Sequence, residues 1–420
     1  MKQSFFRHTI AFSLSVLLAV AFLFLGACMP QEPIDSNIRS SAEVMLEEGA
    51  YPYIADRSHA SLLDRTTDAL ILGESKAMTI RQWETVFTNP QFIYDNEEGS
   101  AVYDFWLYSQ DPDPQPAKYY VHYWMGFRPV MRMLLTFLDY HQILRYTAVA
   151  FFVLLAAVTC AIAENVNTKA AFLFALSIIF MRPHVISVSL QFSSCFLIVL
   201  PAMLAVPWIH RKKQFESLLF LELGILTQYF DFYTTPIITF ALPMTYLYLL
   251  RRKDHVPNKL KDFGFNALSW CAGYGLMWLA KLAITTIFTD VNAFAQGFSS
   301  FGERVGIEKV SGMESLYSPM AALRSVAVSL YSDGDGKLVL FAAILLTAAL
   351  LLYRFLRNKH TLQDLLPDWQ LLLIAALPIL WFIAAAQPTA NHYWFQYRGI
   401  CASFWAGFVY LQLLFQKKPL

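Results

Sequence analysis

The strongest constraint on this chain is a succession of ten apolar runs, each near the roughly 20 residues a helix needs to cross a bilayer core. They fall at about 8–28, 144–163, 170–187, 190–209, 215–232, 234–250, 264–287, 337–356, 369–387 and 398–416. Composition agrees, since 56% of residues are hydrophobic and 15% charged, against about 25% charged in soluble domains. The expected fold is an all-α polytopic membrane protein with about ten transmembrane helices and a large first extracytoplasmic loop carrying interfacial helices. Its divisions are the first span at 1–28, that loop at 29–143 and spans two to seven at 144–287. A second outer loop at 288–336 follows, then the last spans and tail at 337–420.

A net charge of +1 hides a segregation of signs. Basic residues sit before span one (Lys2, Arg7), after span two (Lys169), after span four (Arg211, Lys212, Lys213) and after span six (Arg251, Arg252, Lys253, Lys259, Lys261). They recur after span eight (Arg354, Arg357, Lys359) and at the end (Lys417, Lys418). With ten spans all these loops share one side, so the positive-inside rule makes both termini cytoplasmic. The opposite side receives residues 29–118, with 16 acidic and six basic residues, and also 288–336 and "QPTANHYWFQYRG". The first loop is too long for a bare connector and is expected to fold against the membrane.

Five cysteines (Cys28, Cys160, Cys195, Cys271, Cys401) fall one per apolar segment, without metal or disulfide spacing, and read as small buried hydrophobes. "LFLGAC" also has the form of a lipoprotein cleavage site at Cys28. A retained first span fits the charge pattern, and a lipid anchor is redundant beside so many spans.

The stretch "KYYVHYWMGFRPVMRMLLTFLDYHQILRY" (118–146) leads into span two. Arg128, Arg132, Thr136 and Asp139/Tyr140 recur at helical spacing, which predicts an interfacial helix with Arg128 and Arg132 at headgroup level. Tyr119, Tyr120, His122, Tyr123 and Trp124 suit an aromatic belt.

Ionisable groups at membrane depth cost roughly 2.5–3.5 kcal/mol each, so each calls for a function. Arg182 and His184 mark the turn "FMRPHVIS", Asp231 ends span five in "TQYFDFYTTP", and Lys281 lies in "WLAKLAITTIF". His392, Tyr393, Tyr397 and Arg398 occupy the last outer turn. All gather at the face that carries the acidic loop. Glu222 is nearer mid-span, where a neutral acid is expected. At the C-terminal end of span five the helix dipole disfavours Asp231, so a cationic partner is expected: Lys281, Arg398 or an interfacial arginine. The densest carboxylate cluster is "SLLDRTTDALILGES", with Asp64 and Asp68 four apart on one helix face and Glu74 near its end. A base held against the span mouths needs such an arrangement. "DGDG" (333–336) lacks the other ligands of a calcium loop and reads as a turn.

An N-terminal span, a large outer loop with acids near its start and an aromatic interfacial helix resemble bacterial membrane glycosyltransferases of the GT-C superfamily. The likeness covers the layout of the whole chain. It is sharpest in "TTDALILG", "YYVHYWMGFRPVMRMLL", "GILTQYFDFYTTP" and "HYWFQYRG", which are similar to a branch common in surface-polysaccharide loci. The resemblance implies a polyprenyl-phosphate sugar donor, a glycan or lipid-linked acceptor, and inverting transfer on the outer face of the bacterial plasma membrane. It places the catalytic acid at Asp68, with Asp64 as the alternative. Lys281, Arg398 and Arg128 or Arg132 would hold the phosphate, and Tyr229, Phe230, Tyr393 and Trp394 would pack on sugar or isoprenoid. No Asp-Asp or Asp-x-Asp pair stands at Asp64 or Asp68, where the resemblance places the catalytic acid, so metal dependence is in doubt and no metal cofactor is assigned. No GxxxxGK[ST] loop occurs, in keeping with a lipid-linked donor, and no nucleic-acid partner is expected. Other readings are a polysaccharide polymerase or ligase, a lipid-linked saccharide flippase, and an assembly protein with a sensing loop. A flippase would carry midplane charges and internal repeats, which this chain lacks.

Overall fold

The computed structural model describes residues 2–94, 100–232, 234–305, 318–331, 353 and 367–415. The eighth expected span, the 333–336 turn and Lys417 and Lys418 lie outside these residues. The chain is mostly helical. Helices α1 (Lys2–Ala27), α2 (Gln31–Glu48), α3 (Arg65–Ala77), α4 (Thr85–Thr88), α5 (Ala101–Gln110) and α6 (Phe127–Leu135) lead to α7 (Tyr140–Asn165). They are followed by α8 (Thr168–Ile179), α9 (Pro183–Ile186), α10 (Leu190–Arg211), α11 (Glu216–Phe230), α12 (Ile238–Lys253) and α13 (Leu260–Phe288). Then come α14 (Ala293–Arg304), α15 (Pro319–Tyr331), α16 (Gln370–Ala384), α17 (Ala386–Asn391), α18 (Tyr393–Gln396) and α19 (Cys401–Phe415). Two-residue strands, β1 (Pro90–Gln91) and β2 (Lys118–Tyr119), pair antiparallel.

Among the described residues four of the ten expected segments form helices long and apolar enough to cross a membrane: α1 over Phe5–Ala27, α7, α10 and α13. The helices on the other expected segments run 12 to 16 residues. Local chemistry shortens them. Segment 170–187 breaks at Arg182, whose φ of 55° is left-handed, and Pro183 opens a new turn. Asp231 to Pro236 delay the start of α12, and α16 stops at Ala385.

The short α12 is the buried axis, with every residue from Ile238 to Arg251 buried. Its polar groups are accordingly partnered: Thr239 Oγ1 accepts from Trp270 Nε1 at 3.0 Å, and the Tyr248 hydroxyl donates to Asp368 at 2.6 Å. By contrast α1 and α7 bury only 22% and 17% of their spans, which makes them peripheral apolar helices. At mid-helix, Ser15 of α1 donates to Glu222 of α11 at 2.9 Å.

One end of the bundle gathers the basic residues. Lys213 pairs with Asp262 at 3.0 Å, His210 with Asp254 at 2.8 Å, and Arg252 with Asp368 at 2.7 Å. Residues 29–139 form a helical cap over the other end. Ile34, Ile38, Met45, Leu72, Val102, Phe105, Leu135 and Ile143 make its core. Side-chain caps open α3 and α7. Asp64 accepts from the Thr67 N–H at 2.9 Å, and Asp139 and Gln142 form a capping box that separates α6 from α7. The aromatic belt expected at 119–124 is instead largely buried in protein: Trp124 is fully buried and its Nε1 donates to the Met277 carbonyl at 2.7 Å, while Tyr119 stays exposed. Cys195 and Cys401 are buried, whereas Cys28, Cys160 and Cys271 are exposed free thiols.

Candidate functional site

The cap is fastened by cations that donate to backbone carbonyls, and these are the residues singled out for phosphate. Arg128 donates to the carbonyls of Thr85 (2.9 Å) and Val86 (2.6 Å), and Lys281 Nζ to that of Phe87 (2.5 Å). Arg132 reaches the carbonyls of Gly26, Met29, Ser75 and Lys76, and the Gln31 side chain. Burial pushes Arg128 and Arg132 down to about 10, so both stay charged at neutral pH. Arg398 donates to the carbonyls of Ala60 (3.0 Å) and Trp394 (2.8 Å) and lies over the Phe192 ring. Arg182 holds Asp56 at 2.9 Å and also Ser61. Tyr393 meets His59 Nδ1 at 3.2 Å. Arg182, Tyr393 and Arg398 thus stitch the segment 56–61 onto the helix ends, while His184 is exposed beside them. The headgroup-level floor expected of Arg128 and Arg132 does not form, because buried guanidinium groups satisfy the open carbonyls of helix and turn ends.

The acids divide in the same way. Asp231 finds hydroxyls where a cation was expected: Ser194 donates at 3.1 Å, the Thr234 N–H at 3.0 Å, and the Thr234 hydroxyl also contacts it. It caps the turn into α12. Asp68 is fully buried, with the Tyr140 hydroxyl donating at 2.5 Å, the Gln191 N–H at 3.3 Å, and Arg65 at 3.4 Å. Arg65 in turn holds Glu48 at 2.7 Å and the Val188 carbonyl at 3.2 Å. This chain of groups joins α2, α3, α7 and α10, and leaves Asp68 no face toward a substrate. Asp64 is spent on the α3 N-terminus. Burial raises it to about 6, against the two hydrogen bonds from Thr67.

Two cavities of about 290 Å³ each flank α3 and share Thr67 and Leu70. The first runs between α3, β1 and α5, lined by Thr66, Thr67, Glu74, Gln91, Phe92, Asp104, Tyr108 and Lys118 among others. Neither oxygen of Glu74 meets the geometry of a hydrogen bond, although Gln91 is near enough to favour its charged form. Burial pushes Glu74 up to about 8, offset in part by Arg128, Gln91 and Lys281. A folded value above the ordinary 4.5 means that protonation favours the fold. This contribution is complete below about pH 4.5 and is lost as pH rises through about 8. The wild type is expected to lose about 1.4 kcal/mol from this group between about pH 7 and pH 9, and Glu74→Gln none of it. Thermal melts of both proteins in detergent check this, and parallel pH curves would contradict it.

The second cavity lies where α3, α14 and the turn around His392 meet. Tyr120, Tyr123, Phe232 and Phe395 supply rings, Gln191, Gln387 and Gln396 amides, and Glu303, Arg304 and His392 ionisable groups. Arg304 donates to the hydroxyls of Tyr123 (2.5 Å) and Tyr120 (3.3 Å) and to His122 Nε2 (3.3 Å). Burial, then Arg304, lowers His122 to about 2, so its imidazole is neutral and can accept. The same two causes lower His392 to about 4, and its buried Nδ1 has no partner. Gln191 Oε1 is likewise buried without one. A third cavity, of about 430 Å³, sits at the basic end, where Lys213 and Asp262 pair across it.

Of the expected residues, the structure brings Glu74 to the first cavity and His392 to the second. It turns Asp64, Asp68, Asp231, Arg128, Arg132, Arg182, Lys281 and Arg398 to internal contacts. Glu303, Arg304 and Gln191 carried no motif, and Gln396 lay unmarked inside "HYWFQYRG"; the amphipathic α14 that carries Glu303 and Arg304 was not read from the sequence. No family model, curated protein or solved structure matches the chain.

Proposed function

We propose that this protein is an inverting glycosyltransferase. It moves a sugar from a polyprenyl-phosphate donor to a cell-surface glycan or lipid-linked acceptor on the outer face of the membrane, using the second cavity. The observation that carries the reading is the lining of that cavity. Four aromatic side chains give apolar surface suited to sugar C–H groups, and three amides with one neutral imidazole offer paired donors and acceptors. A lipid-linked donor is favoured by α14, which lends Ser300, Glu303 and Arg304 to the cavity while exposing Phe294, Phe298 and Phe301 on its outside.

In this reading the Glu303 carboxylate accepts the proton of the acceptor hydroxyl, and the hydroxyl oxygen bonds to the anomeric carbon. The bond from that carbon to the phosphate oxygen breaks, and polyprenyl phosphate leaves with its charge facing Arg304. Neutral His392 and Gln191 hold sugar hydroxyls. Asp68 acts through structure, fixing the Gln191 backbone at the cavity wall. No metal takes part in this scheme.

Complementation of a deletion strain with Glu303→Gln or Arg304→Ala tests the proposal. One sugar is expected to be missing from the surface polysaccharide although each variant reaches the membrane in normal amount. Shortened chains of unchanged composition would point to a polymerase or ligase, and unchanged material would end the transferase reading.

A further inference from the structure

The cavity around Glu74 contains a group that the transfer scheme leaves unused. A buried carboxyl without a well-formed hydrogen bond is expensive, because it has given up water and the nearby Arg128, Gln91 and Lys281 offset the loss only in part. Its surroundings narrow what could fill the gap. Behind it, Arg128 donates to the carbonyls of Thr85 and Val86 while its Nε–H stays buried without a partner, and Lys281 donates to that of Phe87; both lend positive potential, and neither is in hydrogen-bond geometry with Glu74. On the cavity side, Phe92 stacks on Tyr108 with centroids 3.9 Å apart at 8°, and Lys76 lies 4.2 Å from the Tyr108 centroid, so the apolar face of this wall is that of Phe92. Thr66, Thr67 and Gln91 supply short polar groups, and Asp104 and Lys118 complete the lining.

We infer that this cavity is a second saccharide subsite, in which Glu74 binds two hydroxyls of a neutral sugar unit laid against the Phe92 face of that wall. A cation would meet Lys118 with Arg128 and Lys281 behind, and an anion would meet Asp104. A neutral polyol avoids both repulsions. A protonated carboxyl both donates and accepts, as a pair of sugar hydroxyls requires. The volume, about 290 Å³, lies at the small end of ligand sites and suits one ring. The two cavities meet at Thr67 and Leu70, one helical turn of α3. The sugar held here is therefore a neighbouring unit of the acceptor glycan, an assignment that rests on the transferase reading; the binding itself does not.

Dicyclohexylcarbodiimide tests the inference, since it adds to protonated buried carboxyls to give a stable N-acylurea that mass spectrometry locates. Full-length protein in detergent is labelled near neutral pH alone, with glucose, galactose, mannose, N-acetylglucosamine or rhamnose, and with spermidine or inorganic phosphate as charged controls. The Glu74 peptide is expected to label, and at least one sugar to slow that labelling about fivefold to tenfold, with neither control doing so. The protecting sugar should protect less in Gln91→Ala, whose carboxyl is intact. Absence of labelling, no protection by any sugar, or equal protection by spermidine or phosphate each overturns the subsite. Repeating the assay in Glu303→Gln separates the two readings. Protection there with an unaltered surface polysaccharide keeps the subsite and removes the transferase. Lost transfer without protection removes only the subsite.

Discussion

Gly273→Leu and Gly224→Leu are each expected to abolish the folded, monodisperse protein in detergent. A Cβ added at Gly273 would lie 2.2 Å from the Leu221 carbonyl oxygen, and one at Gly224 2.2 Å from that of Trp270. The obstacle in both cases is backbone within a helix, which cannot rotate aside as a side chain can. Overpacking typically costs about 1–3 kcal/mol when neighbours can yield, and here the whole α11–α13 pair must separate. That separation would withdraw Lys281 from the Phe87 carbonyl and Tyr229 from the close approach at Gly126, loosening the cap as well. Gly264→Leu and Gly275→Leu, on the same α13 but with open space around them, are expected to leave the elution profile unchanged. An undisturbed peak for Gly273→Leu would refute the close approach.

Asp68→Ala is expected to destabilise the protein by about 3–5 kcal/mol, the usual cost of leaving one partner of a buried ion pair behind. Arg65 would keep Glu48, which is partly exposed, but lose the carboxylate on its buried side. Tyr140→Phe removes one donor from the same group and should cost about 1 kcal/mol. Glu303→Gln, at a half-buried position, is expected to melt like the wild type while losing about 10²–10⁴ in transfer rate. The contrast separates a carboxylate that holds the cap from one that moves a proton. If Asp68→Asn melted like the wild type but made no product, the catalytic role would return to Asp68.

Much of the local structure was legible. A helix through "DALIL", a second one from Arg128 and the long apolar helices α1 and α7 followed from spacing and apolar runs, whereas the capping roles of Asp64 and Asp139 emerged only in the structure. Four of the ten expected spans are long and apolar enough on their own among the described residues, while α12, on the sixth expected segment, is apolar over 16 residues and surrounded by protein. A buried core helix and a short span carry the same composition. The gathering of Arg182, Asp231, Lys281 and Arg398 toward the cap end was also legible, and their partners were not.

The sequence alone determined that the chain would form apolar helices whose basic connections collect at one end and whose acidic first loop caps the other. Periodicity and charge bias are local properties, and these outcomes depend on them. Tertiary structure decided which polar residues are occupied. Every residue offers a backbone carbonyl, so nothing in the chain announces that Arg132 will end on Gly26 and Ser75, or Lys281 on Phe87. It also assembled the second cavity from α3, the 120–123 stretch, α10, α14 and the His392 turn, separated by up to more than three hundred residues. Only close packing of those segments leaves Gln191 and His392 facing a common space, and only burial leaves both Glu74 oxygens short of a well-formed hydrogen bond.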